Sequence, residues 1–244
     1  MEIFGQTDIG RARRANQDAF GARLYGDTAV AVVCDGMGGA NAGEVASGIA
    51  VESFLADMDA RFSPDAAAAR WAREDALAEA VMRADAAVCE RAETDADCRG
   101  MGTTLVAAIV SGGRAVVANI GDSRAYHISD GGALRVTRDH SVVEDMVERG
   151  EITNEQARRH PNRNLITRAL GAAPGAPPDV FSVVLKSGDY LVLCSDGLSN
   201  LLSCGELRDE ARRGGELSEL CGRLIDAALR RGAPDNVTVV TIRA

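Results

Sequence analysis

Four short apolar runs in this chain each meet an aspartate at one end, and no other feature constrains the fold as much. They are Ala29-Val-Ala-Val-Val-Cys-Asp35-Gly-Met-Gly-Gly39, Val116-Val-Ala-Asn-Ile-Gly-Asp122-Ser-Arg124, Leu191-Val-Leu-Cys-Ser-Asp196-Gly197 and Ala233-Pro-Asp235-Asn-Val-Thr-Val-Val240. An apolar run of this length reads as a buried strand, so a rigid element holds each carboxylate at the edge of the core. Carboxylates converging there would repel one another unless cations lay between them. Oxygen-rich clusters of this kind suit Mg²⁺ or Mn²⁺. Taken singly, each motif has a plainer reading: Asp-Gly is a common hairpin signal, and Asp122 or Asp235-Asn236 could cap a turn. The repetition at four buried runs points instead to hydrolytic chemistry at a metal centre.

The charge balance narrows the partners. Thirty-six acidic against 27 basic residues give a net charge of −9, which argues against a nucleic-acid surface, where a basic track would follow the phosphates. The six cysteines include no C-x-x-C pair and no zinc-like spacing. Cys34 and Cys194 lie inside apolar runs, where a thiol behaves as a small hydrophobe, so a reducing compartment is expected. The N-terminus lacks the basic and apolar regions of a signal peptide. No run reaches the length of a membrane span. The expectation is a cytoplasmic protein without membrane or nucleic-acid partners, and a monomer.

Strand signals open the chain at about Ile3–Ile9, Ala19–Tyr25 and Thr28–Cys34, with Gly26-Asp27 as a hairpin turn. Helical spacing of Ala46, Ala50, Phe54 and Met58 predicts a helix over Ala42–Asp59. A second helix starts with Ser63 as N-cap and Pro64 at its first position, and carries Leu77, Val81, Ala84 and Val88 as its stripe. Strands follow over Thr103–Val110, Ala115–Ile120, Arg124–Ile128 and Ala133–Val136. Residues 138–178 change character, with helical pieces at Val142–Glu148 and Asn154–Arg159 and a proline-rich end, and read as a mobile excursion beside the site. Strands return at Val180–Leu185 and Tyr190–Cys194. Helices near Gly205–Arg213 and Leu217–Arg230 precede a last strand, Val237–Ile242. Grouped strands and paired helices predict an α+β fold of antiparallel sheets covered by helices, in one domain over residues 1–244.

The N-terminal segment Arg11-Ala-Arg13-Arg14-Ala-Asn16-Gln17-Asp18 supplies complementary charge. A guanidinium offers a planar fork matched to phosphate oxygens, and a carboxylate a few residues on could orient a metal-bound water. Gly36, Gly38, Gly39 and Gly43 would let backbone approach a ligand closely, but their spacing matches neither a P-loop nor a Rossmann loop.

Together, Arg13-x-x-Asn16-Gln17-Asp18, Asp35-Gly-Met-Gly-Gly39, Gly43-Glu-x-Ala-Ser47, Gly102-Thr-Thr104, Gly121-Asp-Ser-Arg124, Asp139-His-Ser141, Ser195-Asp-Gly197 and Asp235-Asn236 resemble the metal-dependent protein serine/threonine phosphatases. This is the PPM or type 2C family in its bacterial form. The motifs stand in family order across nearly the whole chain. The resemblance implies a four-layer αββα sandwich, two antiparallel β-sheets flanked by helix pairs, with a binuclear Mn²⁺ or Mg²⁺ centre at one end. It implies that Asp35 bridges two metals, that the Gly36 carbonyl binds one of them, and that Asp196 and Asp235 bind the other. Asp18 would hold a metal-bound water, Asp122 with Asp196 would match a third-metal site, and Arg13 would grip the substrate phosphate. Residues 138–178 would be the variable flap. The implied substrates are phosphorylated proteins, with an opposing serine/threonine kinase as partner.

One departure stands out. Many members of the family carry a histidine in or just after the Asp-Gly motif as a candidate acid for the leaving alkoxide, and here those positions are Met37 and Ala40. Of the three histidines, His127 falls in a predicted strand, His140 follows a strand end, and His160 lies in the flap. Two other readings compete with an active phosphoprotein phosphatase: a pseudophosphatase that docks phosphoproteins without hydrolysis, and a different metal-dependent phosphoesterase.

Overall fold

The computed structural model describes residues 1–38, 42–63, 73–172 and 175–244. One sheet has the order β1-β11-β10-β7-β8, from Glu2–Asp8, Val237–Arg243, Tyr190–Cys194, Arg124–Ser129 and Gly132–Arg135. The other has the order β2-β3-β5-β6-β9, from Asp18–Tyr25, Thr28–Met37, Leu105–Ser111, Arg114–Ile120 and Asp179–Val184, and a short β4 (Gly102–Thr103) pairs with the end of β3. Every strand pair in both sheets is antiparallel.

Side-chain alternation explains why the central strands read as unbroken apolar runs. On β3, Ala29, Ala31 and Val33 face the second sheet, while Val30, Val32 and Cys34 face the helices. On β10, Leu191 and Leu193 lie between the sheets, and Val192 and Cys194 lie under the opposite helix layer. Both faces are covered, so neither strand needs a polar side. The helix layer on the β3 side comprises α1 (Ala42–Arg61) and α2 (Arg73–Thr94), which bury Phe54, Met58, Leu77 and Val81. On the other side, α6 (Cys204–Arg212) and α7 (Leu217–Arg230) bury Leu207, Leu220 and Leu224. The result is the expected four-layer arrangement of two sheets between helix pairs.

The predicted elements recur with small shifts at their ends, and two differences matter. The strand expected over Thr103–Val110 is two strands broken at Thr104, because Thr104 turns into the site: its N–H donates to the Asp35 carbonyl at 2.9 Å, and its hydroxyl accepts the Asp35 N–H at 3.0 Å. A short α5 over Asp196–Ser199 was not foreseen, since four residues carry no periodicity. The predicted start of α2 falls at Pro64, which lies outside the described residues, as do Gly39, Ala40 and Pro174. Within the excursion, α3 (Val142–Glu148) and α4 (Asn154–Arg159) match the predicted pieces, capped by Ser141 and by a Thr153–Gln156 capping box. Its two ends are tied to site-bearing segments, with Leu170 bridged to Thr103 and the Thr167 N–H donated to the His140 carbonyl at 2.8 Å. Among the described residues, no helix is long and apolar enough to cross a membrane.

Candidate active site

The five predicted aspartates arrive at one end of the sandwich from five strand termini. Asp18 opens β2 and Asp35 lies near the end of β3, and the two are register partners across the antiparallel pair. Asp122 sits in the turn by which the chain leaves one sheet (β6) for the other (β7). Asp196 follows β10, and Asp235 precedes β11. Like charges opposed across a strand pair destabilise a sheet, so the Asp18–Asp35 pairing is costly unless something positive joins them.

Glycines let these segments close on one another. A Cβ on Gly36 would sit 1.9 Å from the Gly43 carbonyl oxygen, and one on Gly197 would sit 1.9 Å from that of Asn236. The close approach expected of Gly36 and Gly43 is therefore an approach of this chain to itself. Around Gln17 the loop is clamped from several sides. Its carbonyl accepts the Gly36 N–H at 3.0 Å and the Ser47 hydroxyl at 2.6 Å, and its N–H donates to Asn236 Oδ1 at 2.9 Å. Asn236 Nδ2 also reaches the carbonyls of Ile9 and Ala15 at 2.9 and 3.0 Å. Sequence reading named Asn236 but not this task, which no local pattern reveals.

Burial and mutual repulsion raise the acids together. Asp18 is pushed up to about 7 by burial, held back by the hydroxyls of Thr238 and Ser195, with Asp196 and Asp235 adding to the rise. Asp122 is also pushed up to about 7, by burial and then by Asp196 and Asp139. Asp35 is raised well above the carboxylate range by burial and the fields of Asp18, Asp196, Asp122 and Asp235. Asp196 is raised by burial and Asp235, while Arg124 and a hydrogen bond with Asp35 oppose the rise. Positive charge reaches the cluster from two sides. Arg13 Nη2 lies 2.7 Å from Asp235 Oδ2 with half of its side chain exposed, and Asp35 and Asp196 also hold its charge. Arg124 is locked by Asp139, whose oxygens accept from its Nε and Nη2 at 2.6–3.0 Å.

This donor set fits a hard divalent cation. Asp196 Oδ1 is buried without a hydrogen-bond partner, an arrangement that costs free energy unless a ligand completes it. The groups that gather are carboxylates rather than thiols or imidazoles, the donors of a hard, oxygen-seeking cation. Among the described residues, no three Asp, Glu, His or Cys side chains close around a single point, so water and backbone oxygen would share the coordination, as Mg²⁺ prefers.

The matching family model is protein phosphatase 2C, over residues 9–229. The chain belongs to that family. It is 37% identical to the serine/threonine phosphatase stp of Listeria welshimeri over 238 residues, covering 97% of this chain and 93% of the relative. The crystal structure of serine/threonine phosphatase Stp1 from Staphylococcus aureus superposes with a TM-score of 0.90 at 35% identity, covering all of this chain and 94% of that one. The catalytic domain of the phosphatase PstP, solved with two manganese ions, superposes with a TM-score of 0.83 at 34% identity, covering 98% and 96% of the two chains. Like the family at large, this protein phosphatase 2C chain is metal-dependent.

Cys34, Cys194 and His140 adjoin the acid cluster without joining it. Cys34 and Cys194 are fully buried and free, and burial pushes the Cys194 thiol up to about 12 and Cys34 higher still, so neither is a ready nucleophile. His127, in β7 as the sequence placed it in a strand, has Nε2 2.8 Å from Asp189. His140 Nδ1 accepts the Gly121 N–H at 3.1 Å, and its Nε2 lies 3.1 Å from Asp179. His160 caps α4 and accepts the Asn162 N–H at 3.1 Å.

Proposed function

We propose that this protein is a phosphoserine/phosphothreonine phosphatase working through a binuclear Mn²⁺ or Mg²⁺ centre, which Asp35 would help to hold. In this reading the Gly36 carbonyl, Asp196 and Asp235 would also hold the ions, and Asp122 with Asp196 would offer a third position. What carries the reading is the meeting of buried like-charged carboxylates, Asp18 directly opposite Asp35, in a chain that matches the family almost end to end. When bound, the cations would supply a water activated for attack on phosphorus at neutral pH.

The chain's own groups do the rest. Arg13, half exposed beside the acids, is placed to take two phosphate oxygens with its fork and to offset charge that builds on them during in-line attack. Asp18 accepts a hydrogen bond from the attacking water and so fixes its direction. Arg124, neutralised by Asp139, steadies the Asp122 and Asp196 segments. No covalent phosphoenzyme is required, in keeping with buried, protonated Cys34 and Cys194. The physiological targets are phosphorylated proteins in the cytoplasm, with a serine/threonine kinase as counterpart, and the protein acts as a monomer.

Phosphate release from a phosphothreonine peptide with Mn²⁺ tests this reading, with EDTA and Asp196→Ala as controls. Release abolished in both is the expected outcome. A folded, Mn²⁺-binding protein that releases no phosphate from any peptide would overturn hydrolysis in favour of phosphoprotein docking. Release from small phosphate esters alone would favour another phosphoesterase.

A further inference from the structure

Asp18 is gripped by a closed ring of hydrogen bonds whose polarity can be worked out link by link. Asn16 Oδ1 accepts the Asp18 backbone N–H at 3.2 Å, which fixes the orientation of the Asn16 amide. Its Nδ2 is then the donor to Thr7 Oγ1 at 2.8 Å. Thr7 lies opposite Thr238 in the β1–β11 register, and their hydroxyl oxygens are 2.7 Å apart. Thr238 has one hydroxyl proton, and its 2.6 Å contact with Asp18 Oδ2 uses it when Asp18 is ionised, as it would be beside bound cations, because an ionised carboxylate can only accept. Thr7 must therefore donate to Thr238. Every donor points the same way, from Asn16 through Thr7 and Thr238 to Asp18.

A second hydroxyl repeats the pattern. Ser195 Oγ accepts the Thr238 N–H at 3.0 Å and donates to the same Asp18 Oδ2 at 2.7 Å. Both hydroxyls thus converge on one oxygen, and among the described residues no hydrogen bond is made to Oδ1. Thr238 and Ser195 are fully buried, whereas Thr7 is exposed at the sheet edge.

We propose that Asn16, Thr7, Thr238 and Ser195 are positioning residues for the dephosphorylation: the ring ties up Asp18 Oδ2 and reserves Oδ1 for the attacking water. This rests on the role assigned above to Asp18. The remote member, Thr7, acts only by orienting the Thr238 hydroxyl, so its effect must pass through Asp18. Oriented chains of this kind strengthen each member, and partners behind a metal's own ligands typically matter about 10- to 100-fold in affinity or activity.

The test uses Thr7→Val, Thr238→Val, their serine counterparts and Asp18→Asn, read by phosphopeptide kinetics with Mn²⁺ and by calorimetric Mn²⁺ binding. Thr238→Val is expected to lower kcat and weaken Mn²⁺ binding by about 10- to 100-fold, and Thr7→Val by about two- to tenfold, with KM unchanged. Thr7→Ser and Thr238→Ser should restore both. In the Asp18→Asn background, Thr7→Val should weaken Mn²⁺ binding no further. Normal kcat and Mn²⁺ binding in both valine variants, with Asp18→Asn impaired, would overturn the ring and leave Asp18 in its role. Additive losses in the double variant, or loss of KM and kcat together without serine rescue, would also overturn it. An Asp18→Asn protein with normal kcat and Mn²⁺ binding would instead remove the role of Asp18, and the ring with it.

Discussion

Asp35 and Gly36 show how much depends on single residues at this site. The carboxylate projects from near the end of a strand whose preceding inward residues, Ala31 and Val33, are sealed between the sheets. The glycine after it has no room for a Cβ. Gly36→Ala would drive a methyl into the Gly43 carbonyl at 1.9 Å. We expect this variant to lose Mn²⁺-dependent activity and about 1–3 kcal/mol of stability through backbone displacement, measured by urea unfolding beside a phosphatase assay. Arg13 behaves differently because it is half exposed and its ion pair is with Asp235. Arg13→Ala should fold normally and keep its Mn²⁺ affinity, while kcat/KM for a phosphopeptide falls by about 10- to 100-fold, the worth of a charge-assisted hydrogen bond.

At the scale of elements, the long excursion is held by a buried acid on a helix it follows by many residues. Asp85 of α2 is buried and accepts the backbone N–H groups of Gly171 and Gly175, both at 2.9 Å. Asp85→Ala would leave two donors unpaired, at about 1–3 kcal/mol. The expected readout is faster hydrogen exchange at Gly171 and Gly175, with α6 and α7 unaffected. The excursion's helices were legible as short polar helical pieces, and the structure supplies their caps, Ser141 and Thr153. Its anchors were not, since Asp85 and Gly171 are far apart in the chain. The break at Thr104 escaped for the same reason: the residue follows the strand pattern and departs from it only to bond Asp35.

Across the whole molecule, proton binding and cation binding compete for one cluster. Asp18 and Asp122, each pushed up to about 7 from an ordinary 3.8, hold protons in the folded chain where the unfolded chain has released them. Their contribution is therefore fully present below about 4 and lost as pH rises towards 7. Once EDTA has removed divalent cations, Tm should fall between pH 5 and 7 relative to Asp18→Asn, a comparison that cancels the opposite effect of His140, which burial lowers. Mn²⁺ should restore Tm most at the upper end and release protons as it binds. A Tm difference from Asp18→Asn that stays constant over this range would contradict the assignment.

The sequence by itself marked most of the element order, the α+β class and the aspartates that gather at one end of the sandwich. Each of those is written locally, as a two- or 3.6-residue period, a cap, or an acid ending an apolar run. Only the tertiary structure decided that Asp18 faces Asp35 across a strand pair, that Asn236 clamps the loop through Gln17, and that Thr7 and Thr238 align behind Asp18. Those facts depend on strand register and sheet pairing between distant segments. A shift of one residue would turn every such side chain to the other face, and no pattern within a single segment records which partner it will meet.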